Sequence, residues 1–359
     1  MGESVMRSPL QLNMEQTTQI IKMEDKDMMF MNREVKKFVK VCKLDKVALK
    51  NHLYEWLKTY YDKENIINQD GFLYARGTDP VCLTAHMDTV HHEVIKNVSI
   101  TKNEDGKTVI SSPQGIGGDD RCGIYMIKRI LKETNLRPTI LFCEDEEIGG
   151  VGSDKFCLTP YLDELRGMLF IIELDRANRD DVVFYDCDNR DFVDFCEQTT
   201  NNTESYGSFS DISNLCPDCK VAGVNISCGY YKAHTLQEYV IFEEMVENMY
   251  KTIKLIEEGI KQGKQYEYVE RKRSFYGYGY GYGYNSYKGI YAGSGYYWNG
   301  NSKKYEDDDE EEGETYVFVL SSNEEIIGTS ANSLEEALGA ALMDNPTVCY
   351  ADIIDYYMI

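Results

Sequence analysis

The chain is short of histidine, with five in 359 residues, and neither a membrane span, a secretory leader nor a lipid anchor is expected from its sequence. No run reaches the roughly 18 apolar residues that a transmembrane helix needs. The opening MGESVMRSPLQLNMEQ holds no apolar leader core. Position six is Met6, where a myristoylation signal carries Ser or Thr. Positive charge is scarce as well: 38 Lys and Arg face 61 Asp and Glu, for a net charge of −23. Phosphate binding needs clustered Lys and Arg, so nucleic acid is a poor partner. Eight acids of EDDDEEEGE, residues 306–314, supply about a third of that charge and read as a solvated acidic linker. We therefore expect a soluble, cytoplasmic protein with neither membrane nor nucleic acid as partner.

Paired metal-binding motifs are missing too. The eleven cysteines are odd in number and scattered, and read as reduced thiols, mostly core fillers. Cys216-Pro-Asp-Cys219 is a lone C-x-x-C with no second pair at zinc-finger spacing, and reads as loop cysteines. His92-Glu93 begins an H-E-x-x-H pattern, but position 96 is Lys96, so no zinc-protease helix is encoded. Yet three of the five histidines fall within LTAHMDTVHHE, residues 83–93, directly behind an apolar run.

What is present is an alternation of apolar strands and amphipathic helices. Residues 1–28 are polar, Met-rich and without period, as in a flexible segment. NREVKKFVKVC and KVALKNHLYEWLKTYYDK have helical spacing, and GFLYARG reads as a short strand. VCLTAHMD, TILFCEDEE, MLFIIELD and KVAGVNISCG read as buried strands, with VVFYD as a short edge strand. CGIYMIKRILKET, NRDFVDFCEQTT and the long QEYVIFEEMVENMYKTIKLIEEGIKQ read as helices. The order predicts a three-layer α/β/α sandwich with a mostly parallel central sheet over residues 29–268. Residues 269–314 form a Tyr/Gly-rich and acidic linker, since alternating Tyr and Gly cannot build a packed core. ETYVFVLSS, EEIIGTSA and SLEEALGAALM then predict strand, strand and helix, a small α+β accessory module over 315–359 that an unidentified protein partner could support.

Candidate metal ligands sit where these strands end. VCLTA runs into His86 and Asp88, ILFC into Glu144-Asp145-Glu146-Glu147, and LFIIEL into Asp175. GIGGDDRCG supplies Asp119 and Asp120 before a helix, and GYYKAHTLQEYV supplies His234. Ligands in open α/β sheets gather beyond the carboxyl ends of strands. Clustered carboxylates repel one another and take up protons unless cations compensate them. Two Zn²⁺ ions would be balanced by Asp119, Glu147, Asp175 and a bridging hydroxide. Such a pair activates water and clamps a tetrahedral oxyanion. Co²⁺ or Mn²⁺ also suits these N/O donors.

In that order, HMDTV, GGDDRCG, EDEEIGGVGS, ELD and HTLQEYV resemble the co-catalytic dizinc exopeptidases, a group that includes peptidase T, the aminoacylase and carboxypeptidase relatives, and compact zinc aminopeptidases. The resemblance spans roughly residues 30–262 and implies a role for each residue. His86 and Asp175 would complete one zinc, Glu147 and His234 the other, with Asp119 bridging both. Asp88 would hydrogen-bond the His86 imidazole. Glu146 would be the general base that deprotonates the bridging water and passes the proton to the leaving amine. Glu173, two residues before Asp175 on the same strand face, is the rival ligand. Glu144 and Asp145 read as surface or strand-end acids, Asp120 and Arg121 as a structural pair, and Asp211 as a positional residue. His91 and His92 read as loop residues at the mouth of the site.

Many relatives insert a lid or dimerisation domain, whereas this chain has only residues 176–209 between Asp175 and the late loop. The catalytic domain is therefore expected to be lidless, which favours an aminopeptidase acting on small peptides over a carboxypeptidase or deacylase. Three other readings stay open: a different amide hydrolase, a glutaminyl-cyclase-like enzyme using one zinc, or a silent relative acting as a binding module. Intact Glu146 argues against silence.

Overall fold

A computed structural model describes residues 33–271 in full, together with the backbone of 314–320, 325–330 and 353–358. The N-terminal segment, most of the linker and the helix expected in SLEEALGAALM lie outside the described residues. The chain divides into two compact units, Met1–Ser274 and Phe275–Ile359.

The described residues of the first unit begin with helix α1 (33–42) and helix α2 (Lys46–Leu57). The Asp45 carboxylate caps α2 by accepting from Ala48 N–H at 2.8 Å. Twelve strands follow, interleaved with helices, and eight of them form the main sheet. In chain order these are β1 (Ile66–Gln69), β2 (Phe72–Ala75), β3 (Asp79–His86), then β6 (Pro138–Cys143), β7 (Phe170–Arg176), β8 (Asp181–Val183), β9 (Thr203–Ser205) and β10 (Gly223–Ser227). The spatial order is β1-β2-β6-β3-β7-β10-β8-β9. Its centre, β6-β3-β7-β10, is parallel throughout, whereas β2 and β8 run antiparallel to their inner neighbours. VVFYD does form a strand, but β9 lies outside it and takes the edge.

Strand alternation divides the unit into two cores. Leu83 and Ala85 of β3, Ile140 and Phe142 of β6, and Phe170 and Ile172 of β7 pack on one side. They meet α1, α2, α3 (Gly118–Glu133), α6 (Arg190–Thr200) and α8 (Phe242–Gln262). The intervening Cys82, Leu141 and Ile171 pack on the other side, against α4 (Val151–Cys157), α5 (Leu162–Leu165) and α7 (Ile212–Cys219). The expected three layers are present. Cys216 and Cys219 are not loop residues: both lie in α7, buried in this second core. None of the described cysteines is paired.

A second, antiparallel sheet had no clear signal in the sequence. It comprises β4 (Ser99–Lys102), β5 (Thr108–Ser111), β11 (Tyr230–Tyr231) and β12 (Tyr239–Ile241), ordered β11-β12-β5-β4. Every residue of β4 is exposed, so it carries no apolar alternation to read. The last long helix also starts later than expected. Val240 and Ile241 pair with Ile110 and Val109 as strand, in keeping with the β preference of branched side chains, and α8 begins at Phe242. Among the described residues, no helix is long and apolar enough to cross a membrane.

The second unit contains a three-stranded antiparallel sheet with β13 (Glu314–Leu320) between β14 (Glu325–Ser330) and β15 (Ile353–Met358). Two of these strands match the expected ones, and β15 was not foreseen.

Candidate metal centre

Three adjacent parallel strands, β6, β3 and β7, end side by side, and each delivers part of the site. His86 closes β3, Asp175 lies near the end of β7, and Glu146 and Glu147 follow β6. Asp119 comes from the start of α3, and His234 from the connection between β11 and β12.

These side chains form two groups that share one member. His86 Nε2 lies 2.9 Å from Asp119 Oδ1 and 3.5 Å from Asp175 Oδ1. His234 Nε2 lies 3.2 Å from Asp119 Oδ2 and 3.1 Å from Glu147 Oε2. Within each triad, one donor atom per residue falls within 4.8 Å of the others, close enough to hold a metal ion. The donor set fits zinc, with an imidazole and two carboxylates in each triad. Glu146 joins neither triad, and its Oε2 stands 4.0 Å from His86 Nε2.

The loop after β6 is aimed by groups outside the triads. Lys50 binds Glu144 at 2.6 Å and Lys46 binds Asp145 at 2.5 Å, which holds these two acids away from the centre. Asp145 takes a left-handed backbone, φ 62°, and turns the chain back toward His86. Asp88 then accepts from both Glu146 N–H and Glu147 N–H, each at 3.2 Å. Its oxygen is 3.5 Å from His86 Nδ1, beyond a good hydrogen bond, so in this structure Asp88 anchors the Glu146–Glu147 turn more directly than the imidazole.

The start of α3 is irregular because it must approach β7 closely. Asp119 and Asp120 have non-helical dihedrals, and the peptide between them is cis. A Cβ at Gly123 would lie 1.8 Å from the Leu174 carbonyl oxygen, so only glycine allows this approach. Asp120 and Arg121 were expected to pair, but they bond elsewhere. Asp120 accepts from His86 N–H at 3.1 Å and from Gly123 N–H at 2.8 Å. Arg121 donates to the carbonyls of Met87, Asp88 and Leu44.

Sequence reasoning missed several supporting residues. Ser210 donates to Asp175 Oδ2 at 2.9 Å, Tyr230 donates to its Oδ1 at 3.3 Å, and Asn225 accepts from its backbone N–H. Glu173 is not drawn into a triad: it accepts from the N–H groups of Asp211 and Ile212 at the start of α7. Asp211 is fully buried, with Ser153 and Cys143 beside its carboxylate. Glu238 accepts from Gly117 N–H at 2.8 Å and from Asp119 N–H at 3.0 Å. It stands within the quoted HTLQEYV, the one signal that could have found it. His91 is not at the site mouth. Its ring is buried and donates to Glu238 at 2.9 Å, while the neighbouring His92 is exposed.

The electrostatics follow from crowding several acids into a buried space. Burial, reinforced by repulsion from Asp119, pushes Asp175 up to about 7. Burial also raises Glu146 well above the carboxylate range; nearby His86 opposes this, and Asp175, Asp211 and Glu147 add to it. Glu147 rises as well, through burial and then repulsion from Asp119. Burial opposes charge on His234, but hydrogen bonds to Asp119 and Glu147 outweigh it and push the imidazole up to about 12. Burial would likewise raise Asp119, yet His234 and His86 hold it below the usual range.

No protein-family model matches the chain, and no curated protein matches it. Solved structures do. The aminopeptidase PepT of Bacillus cereus superposes with a TM-score of 0.52 at 15% identity, over 64% of this chain and 98% of that one. A tripeptidase of Staphylococcus aureus superposes with a TM-score of 0.51 at 14% identity, over 65% of this chain and 99% of that one. At such identities the likeness is one of fold. The chain shares the fold of these two peptidases.

Proposed function

We propose that the protein is a zinc-dependent exopeptidase of the aminopeptidase type, acting on small peptides in the cytoplasm. His86, Asp119 and Asp175 would hold one ion, and Asp119, Glu147 and His234 the second. The observation that carries this reading is the division of one carboxylate: Asp119 turns Oδ1 to His86 and Oδ2 to His234. When bound, the ions would polarise the scissile carbonyl and make a water more acidic.

The remaining chemistry belongs to the chain. Glu146 lies beside the first triad, 4.0 Å from His86, and joins neither triad, and its environment raises its affinity for a proton. Such a group is suited to take a proton from the attacking water and return it to the leaving amine. Asp88 fixes the backbone from which Glu146 projects. The loops that carry the site also carry exposed apolar side chains: Ile148 is 70% exposed and Leu236 66%. Ile148 follows Glu147 directly and Leu236 is two residues beyond His234, so we infer that they are the candidates to contact an apolar first residue of the peptide.

The test is metal content together with hydrolysis of a panel of aminoacyl amides and dipeptides, run beside Glu146→Gln. Two ions per chain, turnover by the wild type, and a Gln variant that keeps its metal but loses turnover are expected. A protein that takes up no metal would sink the reading.

A further inference from the structure

We propose that Glu238 is a positioning residue that sets the affinity of the second ion, the one assigned to Asp119, Glu147 and His234. The inference rests on the two-ion reading above. Glu238 is fully buried, and its carboxylate makes three bonds. Oε1 accepts from Asp119 N–H at 3.0 Å, while Oε2 accepts from Gly117 N–H at 2.8 Å and from His91 Nε2 at 2.9 Å. One side chain thus clamps the backbone on both sides of Gly118.

The clamped turn has little freedom elsewhere. A Cβ added at Gly118 would come within 2.8 Å of Tyr230 and 2.9 Å of Val240. Gly117 is left-handed, φ 61°. The His91 ring that steadies Oε2 packs so closely on Gly115 that a Cβ there would lie 2.2 Å from it. Glu238 therefore fixes the point from which the Asp119 carboxylate projects.

The two triads do not depend equally on this clamp. The His86 side chain is fully buried and follows a central strand, so the first triad is held by the sheet. The His234 side chain is 39% exposed and leaves a loop at φ 63°. Glu238 lies four residues along from His234, on the same connection. Its bonds to Gly117 and Asp119 tie the loop that offers His234 to the turn that offers Asp119. Without that tie, the second triad is the one whose members drift apart.

Glu238→Gln removes the charge and leaves one acceptor oxygen. The new amide group then faces an N–H donor, so one clamped donor loses its partner. Zinc titration of metal-free protein against a chromophoric chelator reads the two affinities separately. We expect the weaker site to lose about tenfold or more, the effect of an unsatisfied buried donor, and the tighter site, which shares Asp119 but keeps His86 and Asp175 on the sheet, to lose clearly less. His91→Phe breaks only one of the three bonds and should weaken the same site roughly threefold to tenfold. It decides the matter should Glu238→Gln fail to fold. Two ions bound at wild-type affinity in the folded variants, or both sites weakened equally, would overturn the role of Glu238. Fewer than two ions on the wild type would instead overturn the two-ion reading itself, and that failure is visible before any variant is made.

Discussion

Removing metal should destabilise the protein more at pH 8 than at pH 5, and the structure gives a size for the effect. In the metal-free fold, burial and repulsion from Asp119 move Asp175 from 3.8 to about 7. Between those values the folded chain holds a proton that the unfolded chain has released. Stability therefore falls as pH rises through this window, by about 4 kcal/mol for Asp175 alone. His234 acts in the same direction at higher pH. Unfolded, it loses its proton near 6.5, whereas the folded chain keeps it up to about 12, so further stability is lost above 6.5. Asp88 has the opposite sign, since it is lowered from 3.8 to about 2, but its effect is confined below the window. Cations at the triads would replace these protons and remove the penalty. The gap in melting temperature between zinc-loaded and EDTA-treated protein should then widen by about 10 °C from pH 5 to pH 8. Thermal unfolding at four pH values, with and without chelator, measures it. A gap that is flat or narrows toward pH 8 would refute the idea that ions relieve crowded carboxylates here.

Three further outcomes follow from named contacts. Glu146→Gln should lower kcat by about 10²–10⁴ while metal content stays at the wild-type level, because in the proposed reaction the residue would move a proton and hold no ion; elemental analysis beside kinetics separates the two. Gly123→Ala should cost about 3 kcal/mol or fail to fold, since its Cβ would meet the Leu174 carbonyl oxygen at 1.8 Å; chemical denaturation reads it, and a neutral result would mean that α3 can retreat from β7. Ile148→Ser should raise KM for leucyl amides about tenfold and leave alanyl amides nearly unchanged; equal effects on both would remove Ile148 from substrate selection.

The parts of this site that could be read in the sequence are those that sit at the ends of apolar runs. His86 is announced by VCLTA, because a buried strand marks the residue that emerges at its end, and LFIIEL narrows its ligand to Glu173 or Asp175. Strand alternation alone does not separate Glu173 from Asp175, since it puts both on one face. What separates them is tertiary: α7 docks its first N–H groups on Glu173, leaving Asp175 to face His86. His91 was misplaced for a related reason. A histidine in a loop after a strand looks exposed until its partner is known, and that partner, Glu238, lies 147 positions further along.

That difference in reach also separates two kinds of residue at the centre. Groups offered to an ion must project from ordered elements, so local pattern finds them. Groups that aim those ligands act across the fold, and nothing in their own neighbourhood marks them. Glu238, Ser210 and Tyr230 each touch Asp119 or Asp175 from a segment at least 35 residues away in sequence. The same holds for the antiparallel sheet on which this support rests. β12 brings Glu238 to α3 by pairing with β5, and β5 in turn pairs with β4, whose residues are all exposed. A candidate metal centre of this kind is thus legible in the residues offered as ligands and silent in its scaffold, and on the proposal above it is the scaffold that would decide whether the second triad closes.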